Sequence, residues 1–174
     1  MPPRLTRVLA SAAVALAMLL WGAGGAEAQV KGIDVYEFGT YRSAGSIEVG
    51  TTPKGIVRSQ TSGIKQLEAT RKVLGLLGVE FGFRYRTVGA REGALVPLTI
   101  VAKFPPPGVL GRETAEPVLA DAYTQVTTAG KEDFLTWTFE MKTDLVPGIW
   151  TFEIWSGGKK LTEQSFEVIL PPTS

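Results

Sequence analysis

The sequence predicts an all-β fold, a sandwich of two antiparallel sheets. Three observations predict it. Four segments alternate apolar and polar residues with period two, turn residues separate them at short spacing, and almost no stretch carries a helical repeat.

The elements follow in chain order. Gly32–Tyr41 and Gly55–Gln60 are predicted strands. Ile64–Leu76 is read as a short strand followed by a turn, because Gly63, Gly75 and Gly78 crowd the helical face that Ile64, Leu67 and Leu74 would share. Val79–Val88 alternates, with Val79, Phe81, Phe83 and Tyr85 inward and Glu80, Gly82, Arg84 and Arg86 outward. Val96–Phe104 repeats the pattern through Val96, Leu98, Ile100, Ala102 and Phe104. Pro105-Pro106-Pro107-Gly108 then ends the strand and opens a connection to about Ala120, long enough to be a functional loop or a crossover between two sheets. Asp121–Thr128 is a further strand. Phe134–Met141 turns Leu135, Trp137, Phe139 and Met141 inward. Ile149–Trp155 turns Trp150, Phe152 and Ile154 inward, with Thr151, Glu153 and Trp155 outward.

Gly157-Gly158 joins this last strand to Lys160–Leu170, since a Gly-Gly pair supplies the positive φ angles of a tight hairpin. Leu161 is out of phase with Phe166, Val168 and Leu170, which predicts a bulge near Gln164-Ser165. A transmembrane barrel would need a polar interior. Here the apolar sides carry large aromatics, and Arg84, Arg86, Lys103 and Glu153 stand opposite them, so the sandwich is preferred.

Residues 1–28 read as a cleavable export signal. Arg4 and Arg7 precede 14 residues, Val8 to Trp21, that are interrupted by a polar residue only at Ser11. Gly22 to Gly25 breaks the run short of the about 20 residues of a spanning helix. Ala26-Glu27-Ala28 fits a small-x-small cleavage site, giving Gln29 as the mature start. Residues 29–174 are then one domain, with 170–174 a frayed tail and no transmembrane segment after cleavage. The expected location is periplasmic or secreted.

Composition narrows the chemistry. The chain has no cysteine, histidine or asparagine. A disulfide-free exported domain holds together by burial alone, and without His or Cys the usual transition-metal ligands and the commonest acid–base group are missing. No metal and no cofactor are expected. Removing Arg4, Arg7 and Glu27 leaves 16 basic and 16 acidic residues, so the mature domain is neutral and offers no electrostatic case for nucleic acid.

Motif by motif, catalysis finds little support. Ser62-Gly63-Ile64-Lys65 fits the S-x-x-K of penicillin-recognising enzymes, but their S-D-N element is impossible without asparagine. Phe81-Gly82-Phe83 is similar to an RNA-stacking octamer, yet Val79, Glu80 and Arg86 occupy its key positions, so these aromatics are core. Carboxylate pairs such as Glu132-Asp133 could cleave glycosides in principle, but this pair sits in a polar, turn-like stretch. The chain is therefore expected not to be an enzyme. Arg84, Arg86 and the outward Trp155 form the candidate binding surface, provided their strands share a sheet. The alternative is that the arginines are solvated and Trp155 packs under a loop.

The segments Gly78 to Arg86, Phe104-Pro105, Leu145 to Trp155 and Lys160 to Phe166 together resemble an uncharacterised bacterial exported family, domain of unknown function 3859, from about Tyr36 to Val168. The resemblance implies an immunoglobulin-like architecture and an envelope or secreted location. It implies no activity, ligand or site residue. The combined expectation is a non-catalytic binding module for an envelope protein or glycan. The alternatives are a structural or chaperone-like assembly role, signalled by an unpaired edge strand, and a carboxylate- or serine-based hydrolase.

Overall fold

The computed structural model describes residues 30–172 apart from 113 and 115; the predicted export signal over 1–28 and the last two residues of the predicted tail lie outside the described residues. The strands are β1 (Gly32–Arg42), β2 (Gly45–Thr51), β3 (Val57–Ser62), β4 (Lys65–Glu68), β5 (Lys72–Leu74), β6 (Glu80–Val88) and β7 (Leu95–Lys103). There follow β8 (Val109–Leu110), β9 (Pro117–Val118), β10 (Ala120–Thr128), β11 (Glu132–Thr138), β12 (Gly148–Ser156) and β13 (Lys159–Ile169), with one 3-10 turn at Lys142–Asp144.

Two sheets form an antiparallel sandwich, as the alternation predicts. One runs β11–β6–β1–β4 and the other β10–β7–β12–β13–β5, with β5 parallel to its neighbour and every other pair antiparallel. The inward residues of β6, β7 and β12 are those expected: Phe81, Phe83, Tyr85, Leu98, Ile100, Trp150, Phe152 and Ile154 are all buried. Trp150 is the hub between the sheets. Its ring lies 5.7 Å from Phe81, 5.0 Å from Phe104, 5.2 Å from Trp137 and 5.6 Å from Phe139, with edge-to-face geometry at three of the four. Its indole N–H donates to the Val146 carbonyl at 2.8 Å, so the polar end of the ring is satisfied inside the core.

Several expectations are corrected. Met141 is 48% exposed rather than inward, because β11 stops at Thr138 and the backbone N–H groups of Glu140 and Met141 turn to the buried Asp144 carboxylate. Ile64–Leu76 holds two short strands, β4 and β5, one in each sheet. The 105–120 connection is not a crossover, since β7 and β10 pair along their whole length in one sheet and the chain between them makes the small β8–β9 ladder. The bulge lies at Leu161, where Trp155 faces Lys160 but Ile154 faces Thr162, three residues before the expected place. Nothing in the alternation signals β2, whose seven residues are all exposed. It pairs with β3 in a hairpin held to the sandwich by Arg58 over the Tyr123 ring at 4.2 Å and by an Arg112–Glu48 ion pair at 2.6 Å.

Candidate functional site

Strand β6 carries both candidate arginines on the face away from the core. Arg84 is largely buried there. Its Nη2 donates to the Ile64 carbonyl at 2.6 Å, its guanidinium lies 4.6 Å from the Phe134 ring, and its Nε sits 2.7 Å from Glu37 Oε1. No N–H points along that last contact, so charge rather than a directed hydrogen bond holds the pair. Arg86 donates from Nη2 to Glu132 Oε1 at 2.9 Å and lies 4.8 Å from the Tyr36 ring. That hydrogen bond holds the Glu132 carboxyl below the usual carboxylate range and pushes Arg86 up. Both arginines therefore stitch β1, β6 and β11 together, and neither is simply solvated.

Trp155 lies on β12, in the other sheet. The surface that was to join Arg84, Arg86 and Trp155 is thereby dismantled, because the core of the sandwich separates the two sheets. The physical reason is plain: alternation tells which face a side chain occupies, but the sheet is set by pairing partners distant in sequence.

Around Trp155 the structure assembles a different set. Trp155 Nε1 donates to Glu153 Oε2 at 2.8 Å. Lys103 Nζ donates to the other carboxylate oxygen at 2.6 Å, and Lys160 Nζ approaches the same oxygen at 3.4 Å. Glu153 faces outward by register, yet it is only 1% exposed because these three side chains cover it. Burial alone would raise its pKa, but the hydrogen bonds from Lys103, Trp155 and Lys160 outweigh it and bring the carboxyl to about 2. Lys160 also bonds Glu163, which pushes the ammonium up. The partly buried indole is thus pinned beside two ammonium groups, Lys160 lying 5.9 Å from its ring centre.

Sequence reasoning missed the lysines for different reasons. Lys160 was within reach, since a two-residue Gly157-Gly158 turn places it directly across from Trp155. Lys103 was not, since its approach to Glu153 depends on the β7–β12 pairing.

The remaining motifs resolve as follows. Phe81 and Phe83 are fully buried. Ser62 and Lys65 are exposed at a strand end and a strand start. Glu132 and Asp133 point to opposite faces of β11, as neighbours on a strand must. Glu132 meets Arg86, whereas Asp133 accepts from Tyr85 Oη at 3.1 Å and Gln125 Nε2 at 2.9 Å. They cannot act as a facing dyad. Among the described residues no group of three or more acidic side chains is placed to hold a metal ion, and no helix is long and apolar enough to cross a membrane.

Comparison with known proteins places these features. The family model described as Domain of unknown function (DUF3859) matches residues 32–168. Among solved structures, an immunoglobulin-like protein from Pseudomonas aeruginosa, determined at 1.50 Å, is 26% identical, with a TM-score of 0.58 over 83% of this chain and 100% of that one. A search of curated proteins finds no match.

Proposed function

We infer a binding role, with no chemistry of its own, for this chain, which belongs to the DUF3859 family. It acts outside the cytoplasm on a component of the cell envelope, protein or glycan, and makes contact through the outer face of the five-stranded sheet at Trp155. The observation that carries this reading is the partly buried indole held by the Glu153 carboxylate between Lys103 and Lys160. A ring already fixed in one orientation loses little freedom on binding, and the ammonium groups beside it can donate to hydroxyl or carboxylate groups of a partner. The location rests on the export signal at residues 1–28, and the absence of catalysis on the lack of His and Cys and on carboxylates that point apart.

Co-sedimentation of residues 29–174 with isolated bacterial envelopes tests the reading. Trp155→Ala is expected to abolish most of the binding while lowering the thermal midpoint by no more than the few degrees that loss of one hydrogen bond to Glu153 entails, and protease-treated envelopes separate a protein partner from a glycan. Full retention of binding by Trp155→Ala, or a collapse of its thermal midpoint, would overturn the assignment.

A further inference from the structure

On one open side of the sandwich each sheet ends in its shortest strand, β4 in one and β5 in the other, and the chain crosses between them at residues 69–71. Among the described residues no other strand pairs the outer edge of either. Between them opens a groove of about 610 Å³. Its rim carries Leu67, Leu74, Leu76 and Leu77, each 44–55% exposed. Four leucines clustered in contact with water around one concavity cost solubility and contribute little to folding, which marks a surface meant to be covered.

Glu80 lines the same groove and is 4% exposed. Its carboxylate accepts from Ser43 Oγ at 2.6 Å and Thr136 Oγ1 at 2.9 Å, and among the described residues no lysine or arginine lies within ion-pair distance of it. The contrast with Glu153, equally buried but matched by two ammonium groups, is direct. Arg42, Lys72, Glu68 and Glu140 also border the groove, but they are exposed, and two of each sign leave the buried carboxylate unneutralised. A buried acid held only by neutral hydroxyls still has open lone pairs, and a cation reaching it would make a charge-assisted hydrogen bond away from bulk water.

We propose that the groove between β4 and β5 docks an extended peptide segment that carries one lysine or arginine side chain between apolar neighbours. Each feature of the groove meets one part of that ligand. The unpaired strand edges offer backbone donors and acceptors to an extended chain. The leucine rim takes the apolar side chains, and Glu80 takes the cation. The site shares no residue with the Trp155 platform, so either can fail without the other.

A fluorescein-labelled peptide of alternating leucine and threonine with one central lysine, titrated by anisotropy against residues 29–174, tests this directly. Its twin has norleucine in place of lysine. The lysine peptide is expected to bind at least about tenfold more tightly than the twin. Glu80→Gln keeps the shape and can still bond Ser43 and Thr136; it is expected to erase that preference without moving the thermal midpoint. Leu76→Ser with Leu77→Ser, both at exposed positions, is expected to weaken both peptides, and it maps the groove even if the Glu80 variant does not fold. Equal affinity for the two peptides, absence of saturable binding, or lysine preference retained by a folded Glu80→Gln would overturn the proposal. So would a concentration-dependent dimer in sedimentation that the leucine variant abolishes, since a second copy would then be the occupant.

Discussion

Glu153 shows how far one side chain can depart from its place in a binary pattern. Its register is outward, but Lys103, Trp155 and Lys160 close over it. With a folded pKa of about 2 against an ordinary value of 4.5, its proton is bound more tightly by the unfolded chain. The ionised group therefore contributes stability that is fully present above about pH 4.5 and lost as pH falls towards 2. Asp121 and Asp144 act in the opposite sense, because burial raises both, so their contribution is lost as pH rises through their folded values. Comparison of the parent with Glu153→Gln isolates the first effect. Between pH 4.5 and 2 the parent's urea midpoint is expected to fall more steeply than the variant's, and parallel curves would refute it. Lys103, which alternation places on the outer face, is expected to cost about 1 kcal/mol on truncation to alanine, a figure held down by its half-exposed side chain and by Lys160 remaining nearby.

Strands β12 and β13 show which local rules survive folding. Gly157 and Gly158 have φ of +55° and +77°, which the two-residue turn demands, and Ser156 pairs with Lys159 as that turn dictates. The bulge moved to Leu161, which thereby packs towards the core while Phe166 and Val168 keep their inward phase. Strand β6 contains a constraint of another kind. A Cβ on Gly82 would lie 2.0 Å from the Leu135 carbonyl oxygen of β11, at a φ of +154°. Gly78, just before the strand, also has positive φ (+82°), but open space surrounds it. Gly82→Ala is expected to cost more than about 3 kcal/mol, through backbone displacement as well as strain, and Gly78→Ala only about 1–2 kcal/mol. Chemical denaturation of the two variants checks the difference, and equal losses would show that close approach of β11 is not the cause.

For the molecule as a whole, one aromatic cluster holds the sheets together. Phe81 and Phe139 from one side meet Trp150, Phe152 and Phe166 from the other, with ring centres 5.2–5.9 Å apart around Phe81. Trp150→Ala removes the hub and is expected to cost on the order of 3–5 kcal/mol, whereas Met141→Ala, at an exposed turn, should stay within about 0.5 kcal/mol. Denaturant midpoints decide this, and a large loss at Met141 would restore it to the core. The edges of the two sheets differ in kind. The nine residues of β10 pair with β7 without a break, and their outer edge is partly covered where Lys54 donates to the Ala120 carbonyl at 2.6 Å. On the other side β4 and β5 are short and bordered by exposed leucines, and it is there that a partner strand has room.

Whatever depends on neighbours along the chain was legible before folding. Period two in β6, β7 and β12 named the buried residues, the Gly-Gly turn set the final hairpin, and the ordered segments pointed to the family and its immunoglobulin-like fold. Tertiary structure decided everything that depends on which strand lies beside which. Arg84 and Arg86 belong to one sheet and Trp155 to the other, so the surface expected to unite them does not exist. Lys103 reaches Glu153 only because β7 pairs with β12, and Glu80 faces a groove only because β4 and β5 end different sheets on the same side. The reason is geometric. A strand's alternation assigns each side chain to one of two faces with no information from elsewhere, whereas its partners are chosen by contacts between residues tens of positions apart, and no local repeat encodes that choice.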